Sequence, residues 1–241
     1  VAGPLAAHRD RVRAVAANLV DPAGRARLVQ AAAAFDGGIN VLINNAGVNH
    51  FALFDEQAPG DIDLALAVNV AAPLHLCRLV LPLLRRQPEA AILNMGSVFG
   101  AIGYPGYALY SATKFATRGF SEALRRELAG TSVRVHYLAP RATRTPINPD
   151  RVLRMNAELG VAMDEPAVVA AAACRLLEGD RAEAVVGWPE RFYARLNAAF
   201  PRLVDGALAR QLPVIRRHAA RQPAPPPSPA VLPTGSERTA S

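Results

Sequence analysis

Tyr110 and Lys114 stand four residues apart in the stretch YSATK, and Lys114 is the only lysine among 27 Lys and Arg residues. Positions i and i+4 of a helix share one face, so this spacing directs phenol and ammonium into the same space. A phenol with a pKa near ~10 exchanges its proton poorly at neutral pH. A nearby ammonium stabilises the phenolate, and each unit of pKa depression corresponds to about 1.4 kcal/mol. Arginine would bring charge as well, but lysine is a compact triple donor that can hold a second ligand, such as a ribose hydroxyl, at the same time. Ser97 precedes Tyr110 by thirteen residues and lies between Gly96 and Gly100 in GSVFG. A hydroxyl there can hydrogen-bond a substrate oxygen while the tyrosine moves the proton. Asn69, in LALAVNVAAPL, is a polar amide within an apolar helix and needs a partner. A structural hydrogen bond to its own helix is the plain alternative.

The elements that must position these groups alternate. Runs rich in Val, Ile, Leu and Ala at 12–19, 39–43, 90–95, 133–139 and 182–188 are expected as strands of a sheet covered on both faces. Helical patterns separate them. The first opens with Asp21 as N-cap and Pro22 as first helical residue and runs to about Phe35; others cover about 61–86, 107–129 and 165–178. This order predicts βαβ crossovers and an α/β, doubly wound parallel sheet. In such sheets ligands bind beyond the carboxyl ends of the strands. The segments NNAG (44–47), GSVFG (96–100) and PRATRT (140–145) all fall there.

The 241 residues are 51% hydrophobic and 20% charged, the profile of an ordinary globular α/β chain. Every apolar run is interrupted by Arg, Asp or Pro, so none is expected to span a membrane. The first residues do not follow the order of a secretory signal. Cys77 and Cys174 read as two buried free thiols of a reduced compartment, and the scattered histidines show no metal-ligand spacing, so no metal site is expected. A net charge of +7 raises the question of nucleic acid. Residues 191–221, however, hold seven Arg against the single acid Asp205 and so contribute +6 of it. The remainder is nearly neutral, and no nucleic-acid partner is expected.

Taken together, NNAG, Asn69, Ser97 and YSATK resemble the short-chain dehydrogenase/reductase family in order, spacing and position relative to the strands, over roughly residues 12–190. The resemblance implies a Rossmann-like fold and a nicotinamide-dependent oxidoreductase with the catalytic set Asn69, Ser97, Tyr110 and Lys114. Tyr110 would be the general acid/base and Lys114 would lower its pKa and bind the nicotinamide ribose. Ser97 would orient the substrate oxygen, and Asn69 would hold a water in the proton relay. Asn45, Ala46 and Gly47 would line the adenosine side of the cofactor or stabilise the central strand. Pro140 belongs to the turn after a late strand, and Thr145 would contact the nicotinamide carboxamide. Asn18 stands where the family usually places an adenine-contacting Asp. Arg141 replaces a turn glycine, which alters the backbone there or sends a guanidinium toward a phosphate or substrate. The cofactor is NADP or NAD, with NADP favoured.

The family's glycine-rich pyrophosphate turn does not precede NNAG, so the chain is expected to lack the first βαβ unit, as an N-terminally truncated record. The rival reading is a non-catalytic scaffold or partner-binding remnant. The domain reading is an incomplete catalytic domain at 1–189, a basic amphipathic helical extension at 190–220 and a disordered Pro-rich tail at 221–241. The pocket-lining segments at 48–54 and 98–106 are apolar, which suits a small apolar alcohol or ketone of lipid, steroid or acyl type. The chain is expected to be cytoplasmic and a homo-oligomer through the helices at 61–86 and 107–129. The extension either contacts a membrane peripherally or packs on the core or a second subunit.

Overall fold

The computed structural model describes residues 11–35 and 37–220. Four strands form one parallel sheet in the order β1 (Val41–Asn44), β2 (Ala90–Met95), β3 (Val133–Ala139) and β4 (Glu183–Val185). Both faces of β2 and β3 are covered, as their continuous apolar runs require. Ile92, Val133 and Val135 turn to α3 (Ala72–Leu84) and α4 (Ala108–Glu127), while Leu93 and Leu138 turn to α6 (Pro166–Glu178). Neighbouring residues of a strand thus feed opposite cores, the period-two rule of a pleated chain.

Helix α1 (Pro22–Ala33) starts as expected. The Asp21 carboxylate accepts hydrogen bonds from the Ala23 and Gly24 amides, with Pro22 at the first helical position. The segment 12–19 departs from expectation. It is not a strand, because among the described residues nothing forms a ladder with it. Its apolar residues have β character, but a strand exists only where a neighbour takes up its amides and carbonyls. β1 is consequently an edge of the sheet among the described residues, and the face that carries Val41 and Ile43 is left 37% and 49% exposed at those two residues.

Helices α2 (Pro59–Leu66) and α3 run on through a π-helical turn at Ala67–Ala71 as one rod from Pro59 to Leu84. By length and composition this rod of 26 residues could cross a membrane, with a mean hydropathy of 1.8 over an 18-residue stretch. That corrects the expectation that interrupting residues leave no such run: Pro73 and Pro82 are carried inside the helix. Here one side of the rod packs on α1, β1 and β2.

Three elements differ from the sequence reading in extent. Helix α5 (Asp150–Glu158) was not foreseen, and β4 is shorter than the run at 182–188; Cys77 is buried as expected, but Cys174 is exposed, because it falls on the side of α6 away from the sheet. The basic stretch after 190 is two helices, α7 (Glu190–Ala199) and α8 (Pro201–Ala219), divided where the Phe200 backbone leaves the helical region (φ −138°, ψ 64°), with Pro201 at the first position of α8, where a missing N–H costs no hydrogen bond. Ile215 and Ala219 of α8 are buried against Phe51, Tyr107, Val152 and Met155. The tail expected at 221–241 lies outside the described residues.

Candidate active site

The carboxyl ends of β1, β2 and β3 lie side by side, with Asn44 paired to Asn94 and Met95 to Leu138. NNAG, GSVFG and PRATRT therefore open on one edge. The Pro140 carbonyl accepts from the Val98 amide at 3.0 Å, which ties the third segment to the second.

Helix α4 carries Tyr110 and Lys114 on one face, as their spacing requires. The Lys114 Nζ sits 5.5 Å from the Tyr110 ring centroid and donates to the Met95 carbonyl at 2.8 Å. Burial pushes the Tyr110 phenol up to about 12, and a hydrogen bond with the Ser97 side chain opposes that rise. Burial also pulls the Lys114 ammonium down to about 8. Desolvation, which disfavours both charged forms, is the dominant influence on this pair in the structure, and it works against the lowering assigned to Lys114.

The glycines of GSVFG have a packing reason. A β-carbon on Gly96 would lie 2.1 Å from the Tyr137 ring, and one on Gly100 would lie 2.8 Å from the Lys114 carbonyl. The chain after β2 therefore passes between β3 and α4 at backbone contact distance, which sets Ser97 beside Tyr110.

Asn69 lies in the π-helical turn and is 2% exposed. Its partner is not its own helix. The amide oxygen accepts from the Val48 N–H at 2.8 Å, and the amide nitrogen donates to the Val48 carbonyl at 2.8 Å and to Thr113 Oγ1 at 3.1 Å. The side chain thus imitates a strand partner and clamps the loop after NNAG onto α4. The Asn69 main-chain carbonyl accepts from the Thr117 hydroxyl.

The remaining sequence-assigned residues spread around this centre. Gly47 belongs to it: a β-carbon there would meet Asn69 Oδ1 at 3.3 Å and Lys114 Nζ at 4.0 Å. Asn45 and Ala46 are exposed at the end of β1. Asn18 uses its amide oxygen to accept from the Val20 amide, and the Thr145 carbonyl accepts from the Asn148 amide. Both make local turns. Arg141 is held by carboxylates of its own chain. Its guanidinium grips Asp164 with two hydrogen bonds of 3.0 and 2.7 Å and approaches Glu190 at 3.5 Å, pinning the segment after β3 to the start of α7.

A buried polar chain that the sequence reading missed braces the site from below. Asn44 donates to Asn94 Oδ1 at 2.8 Å, Asn94 donates to Ser121 Oγ at 2.9 Å, and Ser121 donates to the Thr117 carbonyl at 2.7 Å. The only signal for it was a polar residue in each of two apolar strands.

The nicotinamide half of a dinucleotide fits this arrangement. Lys114 is 7% exposed and spends one of its three N–H donors on Met95, while the missing β-carbon of Gly47 leaves room between Lys114 and Asn69.

The family model for short chain dehydrogenases matches residues 1–155. The 3-oxoacyl-[acyl-carrier-protein] reductase FabG of Thermotoga maritima is 32% identical over 139 residues, 58% of this chain and 51% of that protein. The chain spans about half the length of the curated relatives it matches. A short chain dehydrogenase of Burkholderia cenocepacia J2315, solved in complex with NADP, superimposes with a TM-score of 0.72 at 26% identity, over 83% of this chain and 82% of that one. A short chain dehydrogenase/reductase of Burkholderia phymatum, solved with NAD, gives 0.73 at 25% identity over 83% and 79%. The matched segment contains the strands, loops and helix that build the site around Tyr110, and the chain belongs to the short-chain dehydrogenase family.

Proposed function

We propose that the protein is an NAD(P)-dependent oxidoreductase that interconverts an apolar alcohol and its ketone. One observation carries this reading: Ser97 and the Tyr110–Lys114 pair gather at the carboxyl edge of the sheet, with the Lys114 Nζ 5.5 Å from the Tyr110 ring centroid and bonded to the Met95 carbonyl at the end of β2. When bound, the nicotinamide supplies or accepts the hydride. The Tyr110 hydroxyl gives its proton to the substrate oxygen during reduction and takes one back during oxidation. The Ser97 hydroxyl donates to the same oxygen, and Lys114 holds a ribose hydroxyl while favouring the ionised form of Tyr110. Asn69 acts by fixing the loop of Gly47 against α4.

The apolar substrate class is supported by Phe99, Tyr104 and Tyr107, which pack around Tyr110 with ring centroids 4.9–6.4 Å apart, and by Ile215 on α8. The acyl carrier reductase among the relatives agrees with an acyl-like substrate. NADP and NAD each accompany one of the structural neighbours, and NADP remains our choice.

A homo-oligomer is supported by exposed Leu74 and Leu79 on α3 and Phe115 on α4, the two helices expected to meet a second copy. Peripheral membrane contact is supported by exposed Trp188, Phe192, Tyr193, Phe200 and Leu203 among the arginines of α7 and α8. A cytoplasmic location belongs to the same reading.

The test is NADPH- and NADH-dependent reduction of a panel of apolar ketones and 3-oxoacyl thioesters. Turnover that Tyr110→Phe lowers by about 10²–10⁴-fold supports the proposal. Equal turnover by the variant contradicts it.

A further inference from the structure

Beside β4, on the sheet face covered by α4, lies a cavity of about 450 Å3 lined by Arg118, Tyr137, Arg181, Glu183, Arg191 and Arg195, with alanines and valines between them. Asn69, Ser97, Tyr110 and Lys114 take no part in its walls. Its size falls within the range of roughly 300–1,000 Å3 typical of small-molecule sites.

The charge inside is one-sided. Four arginines line it against a single acidic residue, Glu183. Among the described residues the arginine ion pairs involve Arg126, Arg141, Arg144 and Arg217, so none of the four has a carboxylate partner. Arg191 donates to the Val185 carbonyl at 3.3 Å, which aims part of its fork at the cavity wall and leaves further donors. Like charges gathered in a concave surface focus a positive potential and draw in an anion. Guanidinium forks match the oxygens of a phosphate, and the small apolar residues between them suit a carbon skeleton attached to it.

We propose that this cavity is a second binding site, separate from the Tyr110 site, for a ligand carrying a phosphate group. The proposal goes beyond the oxidoreductase reading and does not depend on it. Two sources share this chemistry: a soluble phosphate ester and a phospholipid headgroup. The second has local support, because α7 supplies Arg191 and Arg195 to the cavity and also bears Phe192 and Tyr193, with Trp188 6.3 Å from Phe192 by ring centroids. Trp188 is 73% exposed, a placement suited to a lipid interface. Tyr137 lines the cavity and also hydrogen-bonds the Ser97 backbone, so a bound ligand touches a residue that holds the catalytic loop.

The test uses the full chain, glycerol 3-phosphate in a calorimeter, and sedimentation with phosphatidylcholine vesicles with and without phosphatidylglycerol. The variant Arg191→Gln/Arg195→Gln removes two cavity charges, and Arg85→Gln/Arg86→Gln removes two exposed charges elsewhere. Circular dichroism and thermal melting establish that both fold. The proposal expects at least one probe to bind, with binding weakened at least tenfold by the cavity variant and unchanged by the control. Binding of glycerol 3-phosphate identifies a soluble ester, and binding of phosphatidylglycerol vesicles alone identifies a headgroup. Three results overturn it: neither probe binds; both variants weaken binding equally; or light scattering shows a dimer that only the cavity variant disrupts while neither probe binds, which makes the cavity a subunit contact.

Discussion

Tyr137 and Ser97 are joined through side chain and backbone: the Tyr137 hydroxyl donates to the Ser97 carbonyl at 3.3 Å and accepts from the Ser97 amide at 3.5 Å. The ring beneath them occupies the space that a β-carbon on Gly96 would need, 2.1 Å away. The orientation of the serine therefore depends on a tyrosine of β3 and on the absence of a side chain at 96. Gly96→Ala should destabilise the fold by about 1–3 kcal/mol, the usual cost of overpacking, and lower turnover as Ser97 shifts. Adding Tyr137→Val should recover most of the lost stability without recovering turnover. Urea melts and steady-state rates of the two single variants and the double variant check this.

Asn69 provides a second test. Replacing it with Leu leaves the part-buried Val48 amide and carbonyl without these partners and removes the donor to the buried Thr113 Oγ1. An unsatisfied buried polar group costs about 1–3 kcal/mol, so Asn69→Leu should lower the unfolding free energy by at least that much. If chemical denaturation shows no loss, the clamp on Val48 is not structural.

Linkage predicts a pH dependence for Lys114. Its folded-state pKa is depressed from 10.5 to about 8 by burial, so the unfolded chain holds the proton more strongly between those values. Stability from this group is present in full above 10.5 and is lost as pH falls through about 8. Tyr110 and Cys77, both raised by burial, act in the opposite sense at higher pH, Cys77 from 9.0 to about 11 and Tyr110 from 10.0 to about 12. The total curve is thus a composite. Subtracting the curve of Lys114→Met isolates the lysine: the variant should be the more stable at pH 7, and its advantage should shrink as pH rises from 8 toward 10.5. A constant difference would show that Lys114 is not desolvated.

The parts of the site that follow from local spacing were legible in the sequence. Tyr110 and Lys114 share a face because 3.6 residues make a turn, and Asp21 with Pro22 starts α1 because both satisfy the same helix end. What the sequence concealed depends on distant partners. The run at 12–19 has strand-forming residues but no neighbour to pair with among the described residues. Arg141 pairs with Asp164, far along the chain, a partner that no local pattern marks. Asn69 needed a partner, and nothing local said that the partner was Val48. The division of α7 from α8 did carry a local mark, Pro201, which helical amphipathicity alone overrode.

The central claim is that Lys114 and its surroundings hold a nicotinamide cofactor beside Tyr110. Calorimetric titration of NADPH and NADH into the protein and into Lys114→Ala tests it most directly. A charge-assisted hydrogen bond contributes about 1.5–3 kcal/mol, so loss of the ammonium should weaken binding roughly ten- to a hundredfold. Binding of equal strength in both proteins, or none in either, would contradict the account.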